Sequence, residues 1–377
     1  MVRLDKICTI NMGQSPDSST YNAEHNGLPF FQGNADFGEI HPSVRMWCSE
    51  PSKIARENDI LISVRAPIGA LNIANCECCI GRGLAALTVN NDICTREYLW
   101  YALSSKIDEL NSKGTGSTFK AVNKSTLSET EIPLPPLDEQ RHIAATLDKV
   151  SDLISKRRQQ LDKLDELVKA RFVEMFGDPV SNPYDWNLRG LLQLGDCKNG
   201  MNFHSTDIGV NVHCLGVGDF KNLSCISDTS KLPTVSLTGM PSDEYMLKDG
   251  DIVFVRSNGN KALVGRSLVV YPATTPTTFS GFCIRFRLHC DEVKADYLLR
   301  VLKTDSIRKK MAGRGANIQN LNQKILGELQ IPVPPLDLQN QYTGFVEQIE
   351  KTKVTISHSL ERLETLKKAL MQEYFGS

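Results

Sequence analysis

Residues 132–177 read IPLPPLDEQRHIAATLDKVSDLISKRRQQLDKLDELVKARFVEMFG, and residues 331–376 return to the same plan at a constant offset of 199, without a gap. IPLPPLDEQ at 132–140 becomes IPVPPLDLQ at 331–339, and LDKLDELVKA at 161–170 becomes LERLETLKKA at 360–369. Phe176-Gly177 becomes Phe375-Gly376. A chain built from two copies of one unit carries pseudo-twofold symmetry. Two equivalent halves are suited to a two-part target, as dimers are to two half-sites.

Each copy is a proline strap followed by a long helix. Asp138 is placed to cap the first helix, because its carboxylate can accept from amides that have no intrahelical partner. Apolar residues then recur by threes and fours at Leu147, Val150, Ile154, Leu161, Leu164, Val168 and Met175. Arg157 and Arg171 fill the remaining two seam positions. This is heptad spacing, which buries a narrow stripe against one partner helix. At about 1.5 Å per residue the helix spans roughly 55–60 Å, and Gly177 and Pro179 end it. The second helix, 337–375, carries Val346, Ile349, Ile356, Leu360, Leu363, Leu370 and Tyr374 on the same seam. Arg157 is matched by Ile356, and Val168 by Lys367. Exchange of apolar and basic residues between copies is what two different helices packed together would show. The expectation is an antiparallel pair, which returns the chain end to the first domain.

Outside the helices lie two mixed segments, 1–130 and 178–330. Strand-like runs at Ile60–Val64 and Leu84–Val89 are separated by Gly, Pro and Asn, and Glu97–Leu110 reads as a helix. Asp59–Arg65 finds its counterpart in Asp251–Arg256, Tyr98-Leu99 in Tyr297-Leu298, and Gly114-Thr-Gly116 in Gly313-Arg-Gly315. Upstream the halves align only with gaps, so the globular parts have diverged while strap and helix have not. The fold class expected is α+β: two mixed α/β globular domains joined by a long antiparallel two-helix coiled coil, with a pseudo-twofold internal repeat.

The 377 residues suffice for two domains plus helices. No apolar run approaches the ~18 residues of a membrane span, and the start MVRLDKICTINMG lacks a secretory core. Eleven cysteines without regular spacing fit a reducing cytoplasm. The cluster Cys76-Glu-Cys78-Cys79 has no second ligand pair, so a buried strand is expected there and no metal site. With 43 basic against 44 acidic residues the net charge is −1, so overall charge points to no polyanion. Local basic surfaces remain compatible with that balance.

No GxxxxGK[ST], GxSxG or HExxH occurs, and no catalytic residue is expected. Asn182-Pro183-Tyr184 resembles the adenine-cradling Asn-Pro-Pro-Tyr of amino-methyltransferases, yet it lacks the second proline and a glycine-rich cofactor loop. A turn after the helix explains it better. What remains are polar loops in equivalent places. The first half offers Lys113, Ser117, Thr118, Lys120, Asn123 and Lys124. The second offers Arg308, Lys309, Lys310, Arg314, Asn317, Gln319, Asn320 and Asn322. Arg65 and Arg256 each end a hydrophobic strand. Lys and Arg neutralise phosphates; Asn, Gln and Arg pair with purine edges; glycines let backbone approach a duplex. Any one of these residues is read equally well as solvated loop. Two loops in equivalent positions favour DNA.

The strap IPLPPLDEQRHIA, the helix ending in MFGDP and the repeat of both resemble the specificity (S) subunits of type I restriction–modification systems. So do Gly13-Gln-Ser-Pro16, Leu28-Pro-Phe-Phe and Asp59–Arg65, and the likeness covers the whole chain. The second copy departs at Leu338, where the first has Glu139. The resemblance implies target recognition domains at 1–131 and 178–330, each reading one half of a bipartite, asymmetric duplex. It implies conserved regions at 132–177 and 331–377 whose paired helices set the spacer. It implies no catalysis and no cofactor in this chain. Two methyltransferase (M) subunits would flip and methylate adenine with S-adenosylmethionine. Two restriction/translocase (R) subunits would use ATP and magnesium. A coiled-coil scaffold with two protein-binding domains shares the helices but needs no Gly/Asn/Lys loops. A nuclease would need an Asp/Glu/Lys cluster that does not stand out.

Overall fold

The computed structural model describes residues 1–115, 120–203, 208–221, 223–312 and 320–376. It divides into two compact units, Met1–Gln159 with Ser357–Ser377, and Gln160–Ile356.

The first unit is organised around a four-stranded antiparallel sheet in the order Cys8–Met12, Leu84–Val89, Ile60–Ser63, Leu71–Ile73. Strand alternation sorts its residues onto two faces. Ile60, Ile62, Ala85 and Leu87 join a core with Tyr98, Leu99 and Leu147, while Leu61, Leu84 and Ala86 join Phe31 and Ile80 on the other side. Burial on both faces is why the two central strands, Ile60–Ser63 and Leu84–Val89, read as mostly apolar runs. A five-stranded sheet of short strands, including Leu28–Phe31 and Cys78–Ile80, covers the second face. Cys78 and Cys79 lie buried on it, and burial pushes their thiols up to about 12 and about 11.

In the second unit the sheet runs Gly195–Asn199, Cys283–Leu288, Asp251–Val255, Ser267–Val270, Cys225–Ile226. Its first four strands keep the order and antiparallel pairing of the first unit's sheet. Ile252, Phe254 and Phe286 face one core; Val253, Val255 and Leu268 face another. Both sheets begin their apolar strand with the same turn. The Asp59 carboxylate accepts from the Arg56 amide at 2.8 Å, and that of Asp251 accepts from the Lys248 amide at 2.7 Å.

The long helices are Leu137–Phe176 and Leu336–Phe375, 40 residues each. Asp138 is not the cap. The first intrahelical bond runs from the Gln140 amide to the Pro136 carbonyl, so the helix starts at Leu137 and Pro136 holds the cap position, two residues before Asp138. Proline has no amide to leave unpaired and a φ already set for a helical entry. Asp138 instead pairs with Arg141 at 2.9 Å on the first turn. At the far end Gly177 adopts φ +74, and a β-carbon there would meet Pro183. Asn182, itself at φ +46, donates to the Trp186 carbonyl and accepts from the Trp186 amide. The Trp186 indole and Tyr184 hydroxyl then bind the Phe176 and Glu174 carbonyls. Asn-Pro-Tyr is thus the lock on a helix end, and its amide is spent on the turn. Asn182→Ala is expected to cost the second unit about 1–2 kcal/mol, read as a lowered denaturant midpoint; an unchanged midpoint would dismiss the lock.

Within the first unit Arg158 pairs with Glu364 at 2.6 Å, while Ile143 and Leu147 share a core with Leu370 and Phe375. Within the second, Lys353 pairs with Asp165 at 2.9 Å, and Tyr342 packs on Phe172 and Phe176. One number falls as the other rises, so the segments in each unit are antiparallel. Leu147, Val150, Ile154 and Val168 are buried; Leu161, Leu164, Val346, Ile349, Ile356, Leu360, Leu363 and Leu370 are half-buried. Lys367 lies over the Tyr101 ring at 5.9 Å, its ammonium pushed down by burial and by Arg158.

The helix expected over Glu97–Leu110 is two helices, Arg96–Ser105 and Ile107–Lys113. The Ser105 hydroxyl bonds the Ala102 carbonyl, and the Lys106 amide reaches back only to Leu103. This tightened turn ends the first helix and starts the second, which runs up to Lys113.

Candidate nucleic-acid interface

In the first unit the buried strand Ile60–Ser63 runs out into Val64 and Arg65. The chain beyond the glycine-rich loop returns to this strand end. The Val122 amide bonds the Val64 carbonyl at 2.9 Å, Arg65 forms a backbone bridge with Ala121, and the Ala66 amide bonds the Lys120 carbonyl at 3.2 Å. Thr115 and Ala121 exchange backbone bonds that close the base of the loop. Arg65, Lys120 and Lys124 are exposed, and no ion pair holds them among the described residues. Lys113 pairs with Glu109 at 2.6 Å. Such an exposed pair contributes at most about 1 kcal/mol and yields to salt or to a phosphate. Asn123 has a structural task, since its Oδ1 accepts from the Thr126 amide and caps Lys124–Glu129. Ser117 and Thr118 lie outside the described residues.

The second unit repeats the arrangement. The strand Asp251–Val255 leads to Arg256, whose carbonyl accepts from the Leu321 amide at 2.9 Å. The Arg256 guanidinium leans on the Gly281 carbonyl at 3.4 Å. Lys309, Lys310 and Asn320 are exposed. Lys310 also faces Asp178, whose carboxyl is held low despite its burial by hydrogen bonds from Ser306, Ser181 and Val180 and by that ammonium. Arg308 lies on the helix Asp305–Ala312 and not in the loop. Its two terminal nitrogens donate to the carbonyls of Gly265 and Val264 at 3.0 and 3.4 Å. Asn322 caps Gln323–Gly327 as Asn123 caps its own helix. Arg314, Asn317 and Gln319 lie outside the described residues.

The structure therefore gathers, in each unit, the strand-end arginine and the chain following the loop. It assigns Asn123 and Arg308 to holding the backbone. Sequence reasoning passed over one pair of residues that position these parts. Gln140 is fully buried; its amide donates to the carbonyls of Ile93 and Pro135 and accepts from the Thr95 amide, all at 2.8–3.0 Å. Gln339 makes the same three bonds, to Glu292, Pro334 and Lys294. Tyr98 and Tyr297 donate to Pro133 and Pro332 at 2.8 and 2.9 Å. Invariance of the glutamine between copies was the available signal. Glu139, beside it, is exposed, so its replacement by Leu338 in the second copy removes no buried contact. On the long helices Leu153, Leu167, Val173, Val354 and Leu366 stay exposed.

The family described as type I restriction modification DNA specificity domain matches residues 1–165 and 218–368. A type I restriction enzyme specificity subunit of Methanocaldococcus jannaschii, MjaX, is 43% identical over 165 residues, which is 44% of this chain and 39% of that subunit. The match thus spans well under half that relative's length. A second from the same organism, MjaVIII, is 24% identical over 84% of this chain and 78% of the relative. The solved S subunit of a type I restriction–modification system from M. genitalium shares the fold, with a TM-score of 0.59 at 17% identity over 100% of this chain and 95% of that one.

Proposed function

The chain belongs to the type I restriction–modification DNA specificity family, and from that premise we propose that it is the sequence-reading subunit of such a complex. Residues 1–131 and 178–330 act as the two target recognition domains, each reading one half of a bipartite, asymmetric duplex. Residues 132–177 and 331–377 form an antiparallel coiled coil, related by the internal pseudo-twofold, that sets the spacer and docks two M subunits. The exposed apolar residues of the long helices suit such docking. Two R subunits join through the complex. S-adenosylmethionine, ATP and magnesium belong to the partners, and this chain contributes no catalytic group.

The observation that carries the reading is the family match to both halves of a chain whose strap and helix repeat while the rest diverges. Surfaces that meet identical partners stay alike, and surfaces that meet different half-sites drift. The exposed arginine or polar side chains at each strand end and loop return supply phosphate and base-edge contacts.

Sequencing of modified adenines with and without the gene tests this; an unchanged pattern from an expressed, active system would sink it. A finer test separates the halves. Arg65→Ala should weaken reading of one half-site by about 10- to 100-fold, the scale of a lost base or phosphate contact. Asn320→Ala should affect the other half-site only. Equal damage to both from either substitution would contradict the division.

A further inference from the structure

A cavity of about 200 Å³ lies in the second unit, lined by Phe220, Lys221, Arg266, Ser267, Lys303 and Arg308. At about 30 Å³ per water it has room for a tetrahedral oxyanion with part of its hydration. Three separate elements bring the cations there: the residue preceding the strand Ser267–Val270, the last residue of the helix Ala295–Lys303, and the helix Asp305–Ala312. Neutral acceptors take part in orienting them. Lys303 donates to the Leu223 carbonyl at 3.2 Å and the Ser224 hydroxyl at 2.8 Å. Arg266 donates to the Lys221 carbonyl at 2.6 Å, and Arg308 to Gly265 and Val264. Among the described residues no carboxylate lines the cavity.

Two observations point to a negatively charged ligand. Ser267 is 3% exposed, yet its hydroxyl has no hydrogen-bond partner among the described residues; buried polar atoms are otherwise nearly always satisfied. Burial, with Arg300, Lys353, Arg266 and Arg308 nearby, pulls the Lys303 ammonium down to about 8. The fold itself does not require such crowding. At the offset of 199, the first half has Ser104 for Lys303 and Glu109 for Arg308.

The geometry points to a binding site for a phosphate-class oxyanion, held by Lys303, Arg266 and Arg308 over the hydroxyl of Ser267. Guanidinium forks and an ammonium match phosphate oxygens, and the hydroxyl supplies a neutral donor. A free phosphate group and a phosphodiester of a duplex share this chemistry. The site stands independently of the target-reading assignment.

The full chain is tested in two arms, with Lys303→Met and Ser267→Ala. Both substitutions leave Arg308 holding the Val264–Gly265 carbonyls. In the first arm, thermal unfolding is followed in inorganic phosphate against chloride at matched ionic strength; a ligand bound to the native state raises the midpoint. In the second, affinity for a mixed-sequence duplex is followed against salt. A midpoint raised by phosphate in the parent chain, with affinity about tenfold or more weaker in Lys303→Met and several-fold weaker in Ser267→Ala, identifies a free phosphate group as ligand. No phosphate effect, but a salt slope reduced by about 0.9 in Lys303→Met, identifies a duplex phosphodiester. If neither arm responds, the site is overturned. The phosphate arm needs no target reading, so a chain that failed as a DNA reader would still answer it. A chain whose complex modified its target while both arms stayed blank would lose this site alone.

Discussion

Gln339→Ala is expected to destabilise the second unit by about 3–5 kcal/mol, with a similar loss in the first unit from Gln140→Ala. The size follows from what is left behind. One buried amide satisfies the carbonyls of Glu292 and Pro334 and the amide of Lys294, and each unpaired buried group costs about 1–3 kcal/mol. The truncation also opens a cavity, which water can partly fill and so moderate the loss. No other side chain serves as well. Asparagine is one methylene short, and glutamate lacks the two donors. Because two units need not unfold together, the sharper readout is hydrogen exchange at the Lys294 amide, protected in the parent chain and released in the variant. Glu139→Leu is the control: the residue is exposed and its counterpart is already Leu338, so a change within about 0.5 kcal/mol is expected. A loss below about 1 kcal/mol for Gln339→Ala would mean that the strap is held by its prolines alone.

The parts legible in the sequence are those fixed by local periodicity. Forty-residue helices were visible to within a residue because heptads accumulate over many turns, and Leu84–Val89 was visible because a strand buried on both faces for most of its length is mostly apolar. Hydrogen-bond choices made by single side chains were not visible. Asn123 is the same letter whether it caps a helix or faces a base. Arg308 looks like any loop cation until Val264 and Gly265 are brought beneath it, 44 and 43 residues away in the chain. The break at Lys106 follows a competition between a serine hydroxyl and the helix ladder, which propensity averages out. The cavity cluster depends on Cys225–Ile226 pairing in parallel with Val269 and Val270. That register carries Lys221 to Arg266 and Lys303, and nothing near any of the three announces it.

Lengthening both long helices between the two units, after Gln159 and after Ile356, is expected to abolish modification of the original target at every length and to create a longer target only at some. A ruler adds about 1.5 Å per residue along its axis, so one heptad adds about 10.5 Å, close to three base pairs at 3.4 Å each. The two rods do not turn together. Three base pairs rotate a duplex by roughly 100°, since a turn takes about 10–10.5 pairs, whereas a heptad drifts by only about 20°. After one heptad the second domain would meet the wrong side of the duplex, and no spacer restores both half-sites. Three heptads add about 32 Å, near the 34–36 Å of a full DNA turn, with a drift equal to less than two base pairs of twist. Modification should then return on a target whose spacer is about nine or ten pairs longer. Extending one helix alone should instead strand the Arg158–Glu364 or the Lys353–Asp165 pairing and yield no active subunit. Sequencing of modified adenines reads all three cases. A folded one-heptad variant that still modified the original spacing would show that the gap is set by the partner subunits and not by these helices.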